Sequence, residues 1–279
     1  MDNQVLLVDG PYLAKRSFYA PYHISTNTGY TATMIHSFLR SLNALRKSLL
    51  PKKIIIAWES MGSWRRTIYP AYKPTKAYNK QFYDQLQDLQ LLLHLLKIPQ
   101  YHSFDNEADD VIATLAKKYQ KDNDILNKII IFTVDKDIMQ LINPLCLVYD
   151  GKQAFDEHAV KKKFGILPYQ IPDYLAVVGD VSDGIEGIKG YGSKKASKIL
   201  NEHEVIEKIP ASDPLMVSKD KLSINKQIAT LRSTCDLLPI FGPNSSMTET
   251  IDSILLKYKL NSIKDKIEEY KLMGEINGH

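Results

Sequence analysis

Three unbroken apolar runs, "QVLLVDG", "KKIIIAWES" and "KIIIFTVDKD", restrict this chain more than any other feature. A continuous Val/Ile/Leu run suits a strand covered on both faces, and such strands alternating with helices imply a parallel sheet. "LCLVYDG" is a fourth candidate strand. Helical spacing fills the gaps: "TATMIHSFLRSLNALRKSLL" with Met34, Phe38, Leu42 and Leu45 on one stripe, then "FYDQLQDLQLLLHLLKI", then "NEADDVIATLAKKY" with Asn106 as its expected N-cap. The fold class is therefore α/β, a parallel central sheet flanked by helices. From about Phe164 the strand runs cease. A boundary near residues 160–166 is expected, with an α/β region over 1–163 and a helical region over 164–279.

Composition removes several classes of function. With 44% apolar and 24% charged residues the chain can bury a sizeable core, and no run reaches the ~18 apolar residues of a membrane span. The start, "MDNQVLLVDG", lacks the pattern of a secretory leader, and Cys146 and Cys235 stand apart without zinc or disulfide spacing. A cytoplasmic setting without membrane contact is expected. Neither His94 nor His102 has ligand spacing; both read as ordinary helix and strand residues. Nothing pairs a Ser or Cys with a His in a nucleophile motif.

Acids collect where the strands end. Asp9, Glu59, Asp135 and Asp137 follow the apolar runs, and ligands of open α/β sheets gather at that edge. Glu107, Asp109 and Asp110 crowd the start of a helix, and Asp180 and Asp183 lie in "GDVSDGIEG". A helix dipole favours each acid by only about 0.3–1 kcal/mol. Adjacent carboxylates meanwhile oppose one another's ionisation. A bound divalent cation reverses that balance, and oxygen-only ligation selects Mg²⁺, with Mn²⁺ as the alternative. Nine candidates exceed one ion's needs; two ions gripping a phosphodiester account for the surplus.

Outside these nine acids the chain is strongly cationic. From Ser60 to Tyr83 there is no acid, while Arg65, Arg66, Lys73, Lys76 and Lys80 alternate with Trp64, Tyr69, Tyr72, Tyr78, Phe82 and Tyr83. That mixture suits a strand whose phosphates need neutralising and whose bases can stack. "GIEGIKGYGSKKASKIL" places Gly187, Gly190 and Gly192 before a Lys-rich helix, a turn whose backbone N–H groups can meet a phosphate. Ser193 stands where a Walker loop requires Lys, so ATP binding is not expected.

In the order "LLVDG", "WRRTIYPAYKPTK", "NEADD", "FTVDKDIMQLI" and "LAVVGDVSDGIEGIKGYGSKKA", the chain resembles the 5′-nuclease (flap endonuclease) family, which includes the 5′-3′ exonuclease domain of bacterial DNA polymerase I. The resemblance implies a PIN-like core with a helix–hairpin–helix clamp at about 180–203 and a basic arch at about 60–83. It implies a two-metal phosphodiesterase cutting DNA, and RNA primers, at a 5′ single-strand/duplex junction in replication or repair, as a monomer. Asp9, Glu59, Glu107 and Asp109 would serve a first metal, and Asp110, Asp135, Asp137, Asp180 and Asp183 would serve or support a second, some through water. Arg65 and Lys73 would be the catalytic cations at the scissile phosphate. Tyr69, Tyr72 and Lys76 would hold the unpaired strand; Gly187, Lys189, Gly190, Gly192, Lys194 and Lys195 would hold the duplex, with a potassium ion at the clamp. Glu59 stands where the family has Asp, Lys76 where it has Arg, and Gly184, Glu186, Tyr191 and Lys195 depart from the usual Asn, Pro, Ile and Thr. A PIN-like ribonuclease and a branched-DNA-binding homologue with weakened catalysis are the alternatives.

Overall fold

The computed structural model describes residues 3–21, 32–73, 78–122, 125–241 and 250–276. Its centre is a seven-stranded sheet. Strands β1 (Gln4–Asp9), β2 (Lys53–Ala57), β3 (Gln100–His102), β6 (Lys128–Phe132) and β7 (Cys146–Tyr149) run parallel in the order β3-β2-β1-β6-β7. Two antiparallel edge strands, β8 (Ala154–Phe155) and β11 (Leu238–Pro239), complete the sheet, while β4 (Lys121–Asp122) and β5 (Ile125–Leu126) form a separate small hairpin.

Burial on both faces follows from the period of two along a strand. Val5, Leu7, Ile55, Ala57, Ile129 and Ile131 point to one core. Their alternates Leu6, Val8, Ile54, Ile56, Ile130 and Phe132 point to the other. The first core is closed by α5 (Ala108–Gln120), α6 (Glu157–Phe164), α7 (Ile171–Val178), α8 (Ser193–His203) and α9 (Lys219–Ala229). Helices α1 (Gly10–Phe18), α2 (Thr33–Leu49) and α4 (Lys80–Leu95) close the second. The final helices, α10 (Ile251–Lys257), α11 (Asn261–Lys264) and α12 (Ile267–Glu275), return to that same core through Ile254, Leu255, Tyr258, Ile263 and Met273. The helical half is therefore woven into the sheet layer, both by these helices and by β11.

Helix α1 has no counterpart among the sequence expectations. It begins directly after β1, with Asp9 as N-cap and Pro11 in its first turn. A Cβ on Gly10 would lie 2.5 Å from the Trp58 ring and 2.7 Å from the Ala57 carbonyl, so glycine alone allows so tight a strand-to-helix turn. His94 and His102 lie in α4 and β3. No helix among the described residues is long and apolar enough to cross a membrane.

Candidate active site

Six aspartates meet at the C-terminal edge of the sheet. Asp9, the last residue of β1, accepts from the Tyr12 amide at 2.9 Å and from the Thr133 hydroxyl at 2.7 Å. Burial pushes its carboxyl up to about 6 against those two hydrogen bonds, with the neighbouring charge of Asp135 adding to the rise. Past β6, Thr133 Oγ1 accepts the Asp135 amide and Asp135 Oδ1 accepts the Asp137 amide, so one tight turn aims both acids at the edge. Asp137 is buried with Oδ1 lacking any partner, and its carboxyl is raised well above the ordinary range by burial and by Asp135, Asp183 and Asp180. Asp109, on the first turn of α5, is raised likewise by burial and by Asp135 and Asp9.

The remaining two come from a second hairpin, β9 (Gly179–Asp180) with β10 (Ile185–Glu186). Oxygens of Asp137, Asp180 and Asp183 lie within 4.8 Å of one another. Here cations intervene. Lys136 Nζ lies 2.9 Å from Asp180, whose carboxyl is held below its ordinary range: burial is outweighed by the Ser182 hydrogen bond and by Lys136. Lys73 Nζ lies 2.6 Å from Glu107 and 3.4 Å from Asp183, and those charges keep it protonated despite burial. Tyr72 places its hydroxyl 3.1 Å from Glu107 and 3.0 Å from Asp183.

Several expected site residues take other places. Asp110 is fully buried, and its two oxygens accept Arg65 Nη1 at 2.6 Å, Arg65 Nη2 at 2.9 Å, Trp64 Nε1 at 3.2 Å and the amides of Glu107 and Arg232. Those five donors fill the about four acceptor sites that a carboxylate offers. Arg65 is 2% exposed, with both terminal nitrogens bonded to Asp110. Glu59 is half exposed and lies 3.6 Å from Lys15, whose charge also acts on Asp9. Tyr72 is 2% exposed and packs on Ile185 and Ile228, so its ring is closed to a stacking base; Tyr69 is half-buried against the same group. Asn106 does not cap α5: its amide donates to Ser103 and Phe104, and Asp110 instead accepts the Glu107 amide from the third helical position. Lys76 lies outside the described residues.

The glycine turn divides similarly. A Cβ on Gly187 would sit 2.3 Å from the Val178 carbonyl, so this glycine serves the hairpin's packing. Gly190, at φ +85°, and Gly192 have open space where a Cβ would stand, and Lys189, Lys194 and Lys195 around them are exposed. Three contacts of the acids have no counterpart among the sequence expectations: Lys136 with Asp180, Thr133 with Asp9 and the Arg232 amide with Asp110. Of these Lys136 carried a visible signal, a cation inside the acidic tripeptide "DKD".

Two family profiles cover this framework: the 5′-3′ exonuclease N-terminal resolvase-like domain matches residues 4–165, and the 5′-3′ exonuclease C-terminal SAM fold matches 166–273. A 5′-3′ exonuclease of Mycoplasmopsis pulmonis is 33% identical over 95% of this chain and 90% of its own. That of Aquifex aeolicus is 30% identical over 95% and 91%. DNA polymerase I of Caldicellulosiruptor bescii is 31% identical over 84% of this chain, which spans only 29% of that larger protein. Among solved structures, the bacteriophage T5 flap endonuclease in a pseudo-enzyme–product complex with DNA and metal ions aligns over 99% of this chain and 100% of its own, with TM-score 0.67 and 17% identity. The T5 5′-exonuclease with bound zinc gives 0.66 over 81% and 89%, at 19% identity. The fold is shared with these structures, and on the strength of both profiles and the full-length relatives the chain belongs to the 5′-3′ exonuclease family.

Proposed function

We propose that the chain is a divalent-metal-dependent 5′-3′ exonuclease and 5′-flap endonuclease, hydrolysing phosphodiester bonds at a single-strand/duplex junction of DNA in replication or repair. The observation that carries the reading is the convergence of Asp9, Asp109, Asp135, Asp137, Asp180 and Asp183, with one buried oxygen of Asp137 wholly unpartnered. Such a set is unfavourable by itself and fits hard cations, having oxygen donors and neither His nor Cys. Asp9, Asp109 and Asp135 would hold one Mg²⁺ or Mn²⁺, and Asp137, Asp180 and Asp183 a second. Bound there, the cations would lower the pKa of a water and neutralise charge building on the phosphate.

The chain's own groups supply the rest. Lys73, about one-third exposed beside Glu107, is the cation best situated to meet the scissile phosphate. Lys189, Lys194 and Lys195 with the open backbone at Gly190 and Gly192 would take the duplex backbone, a potassium ion being compatible with that turn. Tyr78 and Tyr83, exposed and stacked with centroids 5.0 Å apart, offer the aromatic faces that Tyr72 cannot. The DNA-bound T5 structure and the exonuclease names of the full-length relatives support this reading.

The test is incubation of the purified protein with a 5′-flapped duplex, an RNA–DNA hybrid and unstructured RNA, in Mg²⁺ and in Mn²⁺. Cleavage near the flap junction leaving a 5′-phosphate is expected. Equal cutting of unstructured RNA would favour a PIN-like ribonuclease, and tight flap binding without product a binding homologue.

A further inference from the structure

Asp110 joins three segments that are otherwise separate. Through Trp64 and Arg65 it grips α3 (Arg65–Ile68), the base of the basic segment. Through the Glu107 amide it holds the start of α5, and through the Arg232 amide the chain beyond α9. Other contacts bind the same three parts. Arg65 Nε donates to the Ile228 carbonyl at 2.8 Å, and the Arg232 guanidinium lies 3.7 Å above the Trp64 ring. Thr114 ties the Asp110 carbonyl to the Cys235 amide.

This knot continues to the reacting edge. Arg66, next in α3, donates to the carbonyls of Tyr72 and Lys73. Tyr72 and Lys73 in turn meet Glu107 and Asp183. Any shift of Arg65 therefore moves the two side chains that address Glu107. A buried fork–fork pair suits such a duty, since its geometry is fixed and either partner alone is strongly unfavourable.

We propose that Asp110 is a positioning residue and not a metal ligand. Paired with Arg65, it sets Lys73 and Tyr72 against Glu107 and anchors the 228–232 turn. The proposal rests on the nuclease reading only for its activity readout.

The test compares Asp110→Asn with Asp109→Asn in the full chain, measuring Mn²⁺ binding without DNA, thermal melting and flap cleavage. Asp110→Asn is expected to keep the wild-type number of bound Mn²⁺ ions, to melt lower, and to cleave about 10- to 100-fold more slowly. Asp109→Asn is expected to lose a bound ion without melting lower. Loss of an ion from Asp110→Asn at an unchanged melting temperature overturns the proposal. Should that variant not fold, Arg65→Lys keeps every carboxylate yet breaks the fork. Slower cleavage with wild-type Mn²⁺ binding is expected of it, and wild-type cleavage overturns the proposal. Because melting and Mn²⁺ binding need no substrate, wild-type protein inert on every flap would sink the nuclease reading and leave this one still decided.

Discussion

Asp180 and Asp183 each pair with a lysine ammonium, Lys136 at 2.9 Å and Lys73 at 3.4 Å, whereas Asp9 and Asp109 form no salt bridge among the described residues and feel the charge of Asp135 more strongly than those of Lys15 and Lys73. The two halves of one acidic edge thus answer the same repulsion differently. In the hairpin half, the chain supplies its own cations. In the strand-end half, neutral donors such as Tyr12 and Thr133 orient Asp9 but cannot cancel its charge. Asp9 and Asp109 are thereby left inclined to protonate, as burial also leaves Asp183 despite Lys73, whereas Lys136 and Ser182 hold Asp180 ionised. With no lysine paired to it, the strand-end half is the more demanding of an external cation.

The comparison breaks most visibly at Asp109. If the strand-end half depends on a cation, Asp109→Ala should cut the cleavage rate on the order of 10²- to 10³-fold, comparable with losing a principal electrostatic group. Single-turnover assays at saturating Mn²⁺ would measure it. A loss below tenfold would mean that the two halves do not differ as described.

Stability against pH sharpens the contrast without any substrate. Asp9 has its carboxyl raised from 3.8 to about 6 in the folded chain, so between those values the folded state holds a proton that the unfolded state releases. Its contribution is fully present below 3.8 and is lost as pH rises through 6. At about 1.4 kcal/mol per pH unit, that is roughly 3 kcal/mol. Urea unfolding in EDTA should therefore show declining stability across this window. Asp9→Asn should flatten the decline and be the more stable protein at neutral pH, with added Mn²⁺ reversing the order.

Removing Lys136 would make the hairpin half resemble the other. Lys136→Met should strengthen Mn²⁺ binding on the order of tenfold, since the ion no longer competes with an ammonium for Asp180, and should weaken the metal-free fold. Calorimetric titration decides it; unchanged affinity would mean that Lys136 compensates nothing.

How much of this was legible depended on where each side chain's partners came from. β1, β2 and β6 stood out because four apolar residues in a row have one explanation, and the acids at their ends followed from chain order. Helix α1 hid behind "DGP", which reads as a turn although Asp9 caps the helix and Pro11 suits its first turn. β8 and β11, two residues each, are too short to show any period. The partners of Asp110 were hidden for a physical reason: its spacing from Glu107 places both on one side of the helix. Its carboxylate is gripped by a guanidinium 45 positions away, which helical spacing does not reveal. Lys136 was open to reading, since a lysine between two aspartates at a strand end is an internal counter-ion in plain view.

The smallest expected effect lies at Glu59. Its carboxylate follows β2 much as Asp9 ends β1, yet it sits on the exposed rim with Lys15 at 3.6 Å. Exposed pairs of this kind contribute about 0–1 kcal/mol, and the carboxylate shares no hydrogen bond among the described residues with the acids at the edge. Glu59→Gln should therefore leave melting temperature, Mn²⁺ stoichiometry and cleavage rate within about twofold of wild type. Glu59→Asp, one methylene shorter and still less able to reach inward, should do the same. A Mn²⁺ titration of both variants beside Asp109→Ala places the border of the strand-end half. Loss of an ion from Glu59→Gln would draw that border one strand further out, with Lys15, whose charge already acts on Asp9, as a counter-ion shared between the two acids.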